Sequence, residues 1–182
     1  MKADPTAKEI ISFWRDAGPQ KWFRKDDAFD ALIRERFEAA HHAAARSEYA
    51  AWEETADGAL ALLILLDQFP RNIYRGSGHS FATDGLARAI ADRAVNRGFD
   101  QGVEKALRFF FYMPFEHSEH AADQSKSLKL FEALGDAEYL RFAKLHADII
   151  ERFGRFPHRN AMLGRMSTVE EMNFLDEGGF AG

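Results

Sequence analysis

The sequence contains no cysteine and few β-branched residues. Without cysteine the chain has no disulfide scaffold, no Cys-ligated zinc or iron–sulfur centre and no catalytic thiol. Val, Ile and Thr number 3, 8 and 4, whereas Ala and Leu number 29 and 15. Because Ala and Leu favour helices and β-branched residues favour strands, this composition predicts an all-α fold.

Long apolar runs and an excess of positive charge are also missing. The longest apolar run is Ala59–Leu66, which as a helix spans about 12 Å of a roughly 30 Å hydrocarbon core. Charged Lys8 and Glu9 stand where a signal peptide needs apolar residues. The net charge of −5 disfavours sequence-independent binding to nucleic acid. We therefore expect a soluble, cytoplasmic protein that binds neither membranes nor nucleic acid.

The 182 residues, of which 46% are hydrophobic, are enough for one core. They predict a single all-helical domain spanning residues 1–182. Apolar residues recur at helical spacing, and Gly, Pro and capping residues divide them into about seven or eight helices with short connections. Such helices form stacked antiparallel hairpins, although no strict sequence repeat is present.

Several helix boundaries can be predicted individually. The Leu-rich helix after Asp57 is expected to end at or before Phe69, because Pro70 follows, and residues 70–83 are expected to form a loop. Capping and breaking residues predict three more helices: one from near Asp100 to Pro114, one from Ser118 to Gly135, and one capped by Ser167 with Glu170.

Two segments resemble each other and break the helical pattern. Asp67–Gly76 and Arg152–Arg165 both place Phe-Pro beside a predicted helix end and follow it with Arg and Asn. Residues 152–169 contain four arginines and no Asp or Glu, although the chain as a whole is acidic. Arginine binds carboxylate or phosphate bidentately, so two such segments that meet would form a site for a small anionic ligand.

This hypothesis defines a set of ligand-binding residues. They are Asp67, Arg71, Asn72, Arg75, His117, Arg155, His158, Arg159 and Asn160. A structural clasp is the alternative explanation. Arginines after helix ends also bind free carbonyls, and a buried Asp67 would need an Arg partner in order to fold.

A second cluster of chemically active residues is the segment Glu116–His120. Imidazole and carboxylate groups at short spacing suit general acid–base catalysis, and the candidate catalytic residues are His117, Glu119 and His158. The corresponding hypothesis is a hydrolase in which His117 or His158 acts as the base beside a carboxylate from residues 116–119. The segment lacks a His-Glu-x-x-His pattern, and we predict neither a metal nor a cofactor.

His146 lies in an apolar stripe with Tyr139, Phe142, Ile149 and Phe153. A histidine in that position is either a satisfied core residue or the lining of a pocket that tunes its pKa. A third functional hypothesis is an interaction module that binds a peptide or a partner helix in an exposed apolar groove, as helical stacks do.

Long and unusual strings in this sequence are similar to those of one bacterial family. They are Leu65–Gly76, Phe81–Asp84, Tyr112–Glu119 with Gln124, His146, and Arg152–Asn160 continuing to Glu171. On these strings the chain resembles domain of unknown function 924 over nearly its full length. The resemblance implies an all-helical fold like the tetratricopeptide stacks, and no established activity. The family strings coincide with both Phe-Pro segments and with residues 117–119, which favours a shared polar pocket.

Overall fold

A computed structural model describes residues 4–180, and this part of the chain is all-helical without a β-strand. The α-helices are α1 (Ala7–Ala17), α2 (Pro19–Trp22), α3 (Asp27–Ala45), α4 (Ala56–Leu63), α5 (Phe69–Ile73), α6 (Asp84–Asn96), α7 (Met113–Glu116), α8 (Ala121–Leu134), α9 (Ala137–Phe153) and α10 (Val169–Asp176). Shorter 3₁₀ segments join several of them. The predicted all-α fold is therefore confirmed, and the packing of helix against helix agrees with a tetratricopeptide-like stack.

The described helices form two compact units. The first comprises residues 4–75 and 79–114, and the second comprises residues 76–78 and 115–180. No helix of the described residues is long and apolar enough to cross a bilayer.

The core of the first unit surrounds α4. Every residue from Gly58 to Leu63 is buried, so this helix is apolar all round and requires neighbours on every side. Helices α1 and α6 pack against it, while α3 packs against α5. The largest side chains of this core, among them Trp14, Phe37 and Phe69, are almost fully buried.

The predicted end of the Leu-rich helix at Phe69 is wrong, and the predicted loop begins after Ile73 rather than at Pro70, with turns and a 3₁₀ segment, Gly78–Phe81, up to Thr83. The chain passes from α4 through a π-helical turn, Ile64–Gln68, directly into α5, which contains Pro70. In this turn the Phe69 N–H donates to Ile64 O, five residues earlier. The wider turn lets the helical path continue through a residue that has no N–H to donate.

Side chains from elsewhere in the first unit satisfy the carbonyls that this turn frees. His41 Nδ1 lies 2.8 Å from Leu65 O, and Thr83 Oγ1 donates to Leu66 O at 2.5 Å. Pro70 stands four residues after Leu66, so the Thr83 hydroxyl replaces the helical N–H that proline lacks. Partners this distant in sequence explain why the helix passes a residue that normally stops it.

The helix predicted from near Asp100 is also wrong, since two 3₁₀ segments, Phe99–Gly102 and Lys105–Phe111, occupy that region. Extended backbone at Val103 separates them. Asp100 is buried and accepts a hydrogen bond from Tyr112 Oη at 2.7 Å, which holds the segment in this irregular path.

In the second unit α8 and α9 form a hairpin. Gly135, with φ +74°, ends α8, and the Asp136 carboxylate caps α9 by accepting from Glu138 N. Helix α8 begins at Ala121 rather than at the predicted Ser118. Ser118 lies just outside the helix, where its hydroxyl accepts from His120 N and donates to Asp123.

The predicted capping box of the last helix is displaced by one residue. Thr168 and Glu171, rather than Ser167 and Glu170, form the box at the start of α10. The Ser167 hydroxyl instead accepts a hydrogen bond from Asn160 Nδ2 at 3.1 Å. The predicted type of cap is therefore correct, and its predicted position is wrong by one residue.

Candidate functional site

In the first unit Arg71 connects two carboxylates. Its guanidinium binds both oxygens of Asp84 at 3.1 and 3.0 Å and lies 3.2 Å from Asp67 Oδ1. The Asp67 side chain is fully buried in the π turn and also accepts a hydrogen bond from Gln68 Nε2. Arg71 therefore compensates a carboxylate that could not remain charged without a partner.

The other two polar residues of this segment converge on Asp30 in α3. Asn72 Nδ2 donates to Asp30 Oδ1 at 2.8 Å, and Arg75 binds the same carboxylate through Nε and Nη2 at 2.8 and 3.1 Å. The hydrogen bond to Asp30 raises the pKa of Arg75 despite partial burial. These contacts attach α5 and its C-terminal turn to α3.

In the second unit Arg155 and Asn160 bind the buried carboxylate of Glu171. Arg155 donates to it through Nε at 2.6 Å and Nη2 at 2.8 Å, and Asn160 Nδ2 donates at 3.2 Å. Glu171 also accepts from Thr168 N at 2.7 Å. The hydrogen bond from Arg155, together with the others, lowers the pKa of Glu171 to about 2 against burial that opposes its charge.

This low pKa predicts a defined pH dependence of stability. The charged Glu171 contributes stability above its ordinary pKa of 4.5, and the contribution is lost as pH falls from there towards about 2. Glu171→Gln will reduce the free energy of unfolding by about 1–3 kcal/mol near neutral pH. Urea unfolding at several pH values measures this, and the gap between variant and wild type should shrink as the solution is acidified.

Glu170→Gln is the matched control, because Glu170 is exposed in the same helical turn. It should follow the wild type at every pH within about 0.5 kcal/mol. A Glu171→Gln gap that persists unchanged in acid would contradict the assignment.

Arg165 forms a bidentate ion pair with Glu119. The two N–O distances are 2.7 and 2.9 Å, and Glu119 Oε1 also accepts from Phe156 N at 2.8 Å. Burial raises the pKa of Glu119, but the hydrogen bonds from Arg165 and Phe156 outweigh it, so the pKa lies below its ordinary range. Glu119, a predicted catalytic residue, thus holds the Phe156 backbone and Arg165 in place.

Three of the four arginines predicted from the two Phe-Pro segments therefore bind carboxylates of their own unit. The pairs are Arg71 with Asp67 and Asp84, Arg75 with Asp30, and Arg155 with Glu171. Arg159 is buried, with its guanidinium carbon 4.5 Å from the centre of the Phe156 ring. Sequence reasoning missed Asp30, Asp84 and Glu171, because each lies at least 13 positions in sequence from the arginine that it binds.

Glu116 and His146 form a buried carboxylate–imidazole pair. His146 Nδ1 lies 2.9 Å from Glu116 Oε1 and 2.9 Å from Phe142 O. Both neighbours are hydrogen-bond acceptors, so Nδ1 carries the hydrogen, and Nε2 of the neutral ring is the basic nitrogen. The apolar stripe of α9 predicts His146 as a core residue or as the lining of a pocket. Its partner could not be read from the apolar stripe of α9, because Glu116 lies outside that helix.

Two further histidines and two phenylalanines surround this pair. The His117 and His146 ring centres are 6.3 Å apart. Phe156 and Phe180 contact His146 edge-on, at 5.4 and 4.7 Å, and both also contact His158. Glu116, His117, His146, His158, Phe156 and Phe180 are called the histidine cluster below.

His158 is held neutral within the histidine cluster. Burial, and then the positive charge of Arg159, lowers its pKa to about 3, against a small opposing effect of Glu119. Its Nδ1 atom is buried and makes no hydrogen bond to the described residues. A buried polar atom without a partner is unfavourable, and a bound water or ligand would satisfy it.

Comparison with known proteins shows the relationships of the chain. The family model described as bacterial protein of unknown function, DUF924, matches residues 10–179. The chain belongs to this family. A solved structure of a protein of unknown function from Agrobacterium tumefaciens is 53% identical, with a TM-score of 0.92, over 94% of this chain and 97% of that one. No curated protein matches the chain.

The family expectation from the sequence is thereby confirmed. Neither description states an activity, so the chemistry of this DUF924 protein is inferred from its own residues. Within residues 4–180, no group of three or more His, Asp or Glu side chains has an arrangement that could hold a metal ion.

A surface cavity of about 510 Å³ lies elsewhere on this DUF924 protein, in the first unit. It is lined by Lys8, Glu9, Ser12, Phe13, Asp16, Ala17 and Arg36. None of the site residues predicted from the sequence lines it. Its charged side chains are exposed and of both signs, which gives it no preference for an anion.

Proposed function

We propose that this protein is a hydrolase in which His146 is the general base and Glu116 orients it. The observation that carries the proposal is the 2.9 Å contact between His146 Nδ1 and the buried Glu116 carboxylate. This contact selects the tautomer whose Nε2 accepts a proton and stabilises the imidazolium that forms. The hypothesis of a His–carboxylate hydrolase is kept, with His146 as the base in place of His117 or His158, and with Glu116, rather than Glu119, as the carboxylate.

The proposed chemistry is direct attack by water. His146 Nε2 removes one proton from a water molecule while the oxygen of that water forms a bond to the carbonyl carbon or phosphorus of the substrate. When the bond to the leaving group breaks, the proton passes from His146 to that group. No nucleophilic side chain is required, which agrees with the absence of a Gly-x-Ser-x-Gly motif from the sequence.

A small anion-bearing molecule is the substrate class that we propose. Arg159 is buried, and its guanidinium carbon lies 4.5 Å from the centre of the Phe156 ring in the histidine cluster. A carboxylate or phosphate of the substrate would gain charge-assisted hydrogen bonds from Arg159, while neutral His158 can donate or accept a further one. For Arg71, Arg75 and Arg155, the ion pairs within each unit support a structural clasp rather than a grip on a ligand.

Peptide binding is a second candidate function. It is supported by four exposed apolar side chains in the second unit, Leu163, Met166, Val169 and Met172, of which Met166 is 88% exposed. Exposed Met-rich surfaces adapt to apolar partners. The histidine cluster provides more specific chemistry, and the hydrolase is therefore preferred.

The test uses chromogenic esters, phosphomonoesters and anilides as general probes for hydrolysis. The wild type should hydrolyse at least one of them, and His146→Gln should reduce kcat/KM by about 10²–10³-fold. The pH profile of kcat/KM should reflect the ionisation of one basic group, and this pH dependence should be absent from the variant.

His120→Gln is the matched control, because His120 is an exposed histidine near the same segment. It should retain wild-type kcat/KM. Turnover that survives His146→Gln unchanged, or no turnover of any of these bond classes, would contradict the hydrolase proposal.

A further inference from the structure

Within the histidine cluster, the apolar ring of Phe180 covers His146 and His158. Its ring centre lies 4.7 Å from that of His146 and 5.3 Å from that of His158, and both contacts are edge-on, at 64° and 82°. Phe180 also packs against the apolar cluster of Ile149, Ile150 and Phe156. One aromatic side chain thus contacts both the proposed base and its neutral neighbour.

Two glycines direct Phe180 to this place. After α10, Gly178 adopts φ +85°, and the Gly179 N–H donates to Phe174 O at 2.8 Å. A Cβ atom at Gly179 would lie 2.4 Å from Phe174 O and 2.6 Å from its ring, so only glycine fits there. The tight reversal returns the chain from the end of α10 to the histidines.

The contact between Phe180 and the histidines does not satisfy the hydrogen-bonding capacity of His158. Phe180 is only half-buried and lies outside regular secondary structure. The buried Nδ1 of His158 makes no hydrogen bond to the described residues. A phenylalanine ring offers that atom no hydrogen bond, whereas a ligand with an aromatic ring and an adjacent oxygen could fill the same space and satisfy it.

We propose that Phe180 occupies a subsite for the aromatic ring of an anionic ligand, such as an aryl carboxylate, and that such a ligand binds by displacing Phe180. The inference deepens the proposed function, since it assigns a substrate class to the same site. In this arrangement His146 and His158 hold the ring, and Arg159 takes the anionic group. In the unliganded protein Phe180 occupies the subsite, and this competition reduces the apparent affinity for the aryl ligand.

The experiment is a titration of the full chain with benzoate, followed by NMR of the histidine ring signals, with acetate as the probe that lacks a ring. Phe180→Ala should bind benzoate about ten- to hundredfold more tightly than the wild type, because no ring has to be displaced. Acetate affinity should change by less than about twofold. Equal or weaker benzoate binding by Phe180→Ala would overturn the proposal.

A second variant removes the cover without removing the ring. Gly179→Ala cannot keep the reversal against Phe174, so it should also increase benzoate affinity. Phe153→Ala is the matched control, since Phe153 packs on the same apolar cluster but has no ring contact with a histidine among the described residues. It should bind benzoate as the wild type does, and a gain equal to that of Phe180→Ala would attribute the effect to general loosening and overturn the proposal.

The binding readout separates this inference from the hydrolase proposal. A gain in benzoate affinity without hydrolysis of any probe supports the subsite and refutes the hydrolase. Hydrolysis that depends on His146, without a gain in Phe180→Ala, supports the hydrolase and refutes the subsite.

Discussion

Arg71→Met will lower the free energy of unfolding by about 3–5 kcal/mol, the largest effect expected of any single substitution considered for this chain. Asp67 is fully buried in the π turn, and Arg71 is the cation that compensates its charge while also binding Asp84 at 3.0 Å. Methionine retains the apolar stem and removes the charge, which leaves Asp67 buried without its ion-pair partner. Chemical denaturation at neutral pH measures the loss.

Arg141→Met is the matched control. Arg141 also pairs with a carboxylate one helical turn away, Glu138 at 2.8 Å, but both side chains are more than half exposed. Its loss should cost less than about 0.5 kcal/mol. The double variant Asp67→Leu with Arg71→Met should be more stable than Arg71→Met alone, because no buried charge remains. A neutral effect of Arg71→Met would refute the clasp and return Arg71 to the candidate anion-binding residues.

Gln124→Leu will lower the free energy of unfolding by about 2–4 kcal/mol, because it removes a buried amide donor from two backbone carbonyls. Gln124 is 3% exposed, and its Nε2 donates to Glu116 O at 2.7 Å and Ser118 O at 2.6 Å. Leucine has a similar volume and no donor. Since this turn positions Glu116 and His117, the variant should also broaden the NMR ring signals of His117 and His146.

Ser125→Ala controls for substitution in the same helix. Ser125 is exposed, and its hydroxyl donates to Ala121 O within α8. The change should alter the free energy of unfolding by less than about 0.5 kcal/mol and leave the histidine signals unchanged. Full stability in Gln124→Leu would show that water replaces the missing donor, and would remove Gln124 from the residues that position Glu116.

The candidate site was only partly predictable from the sequence. The segment Glu116–His120 was identified because imidazole and carboxylate groups at short spacing suit acid–base catalysis, and His158 because it lies in the second Phe-Pro segment. The pair that carries the proposal, Glu116 with His146, joins residues 30 positions apart. Periodicity places His146 on an apolar face of α9, but periodicity carries no information about which carboxylate approaches that face.

The arginines show the same limitation in another form. An acid-free segment with four arginines favours an anion site when it is considered alone. In the folded chain Glu119, which lies just before α8, binds Arg165. Glu171, which lies in α10, binds Arg155. Charge counted along the chain differs from charge counted in space, because helices bring together residues that are far apart in sequence.

Local chemistry alone specifies the helical class of this protein, the type of capping residue near several helix starts, and the apolar character of α4. These properties depend on backbone propensity and on apolar spacing within a few turns. Tertiary contacts decide the course of the chain through Pro70, where Thr83 supplies the missing donor, and the pairing of Glu116 with His146. Both depend on hydrogen-bond partners from distant segments, and only the folded chain brings those partners within reach.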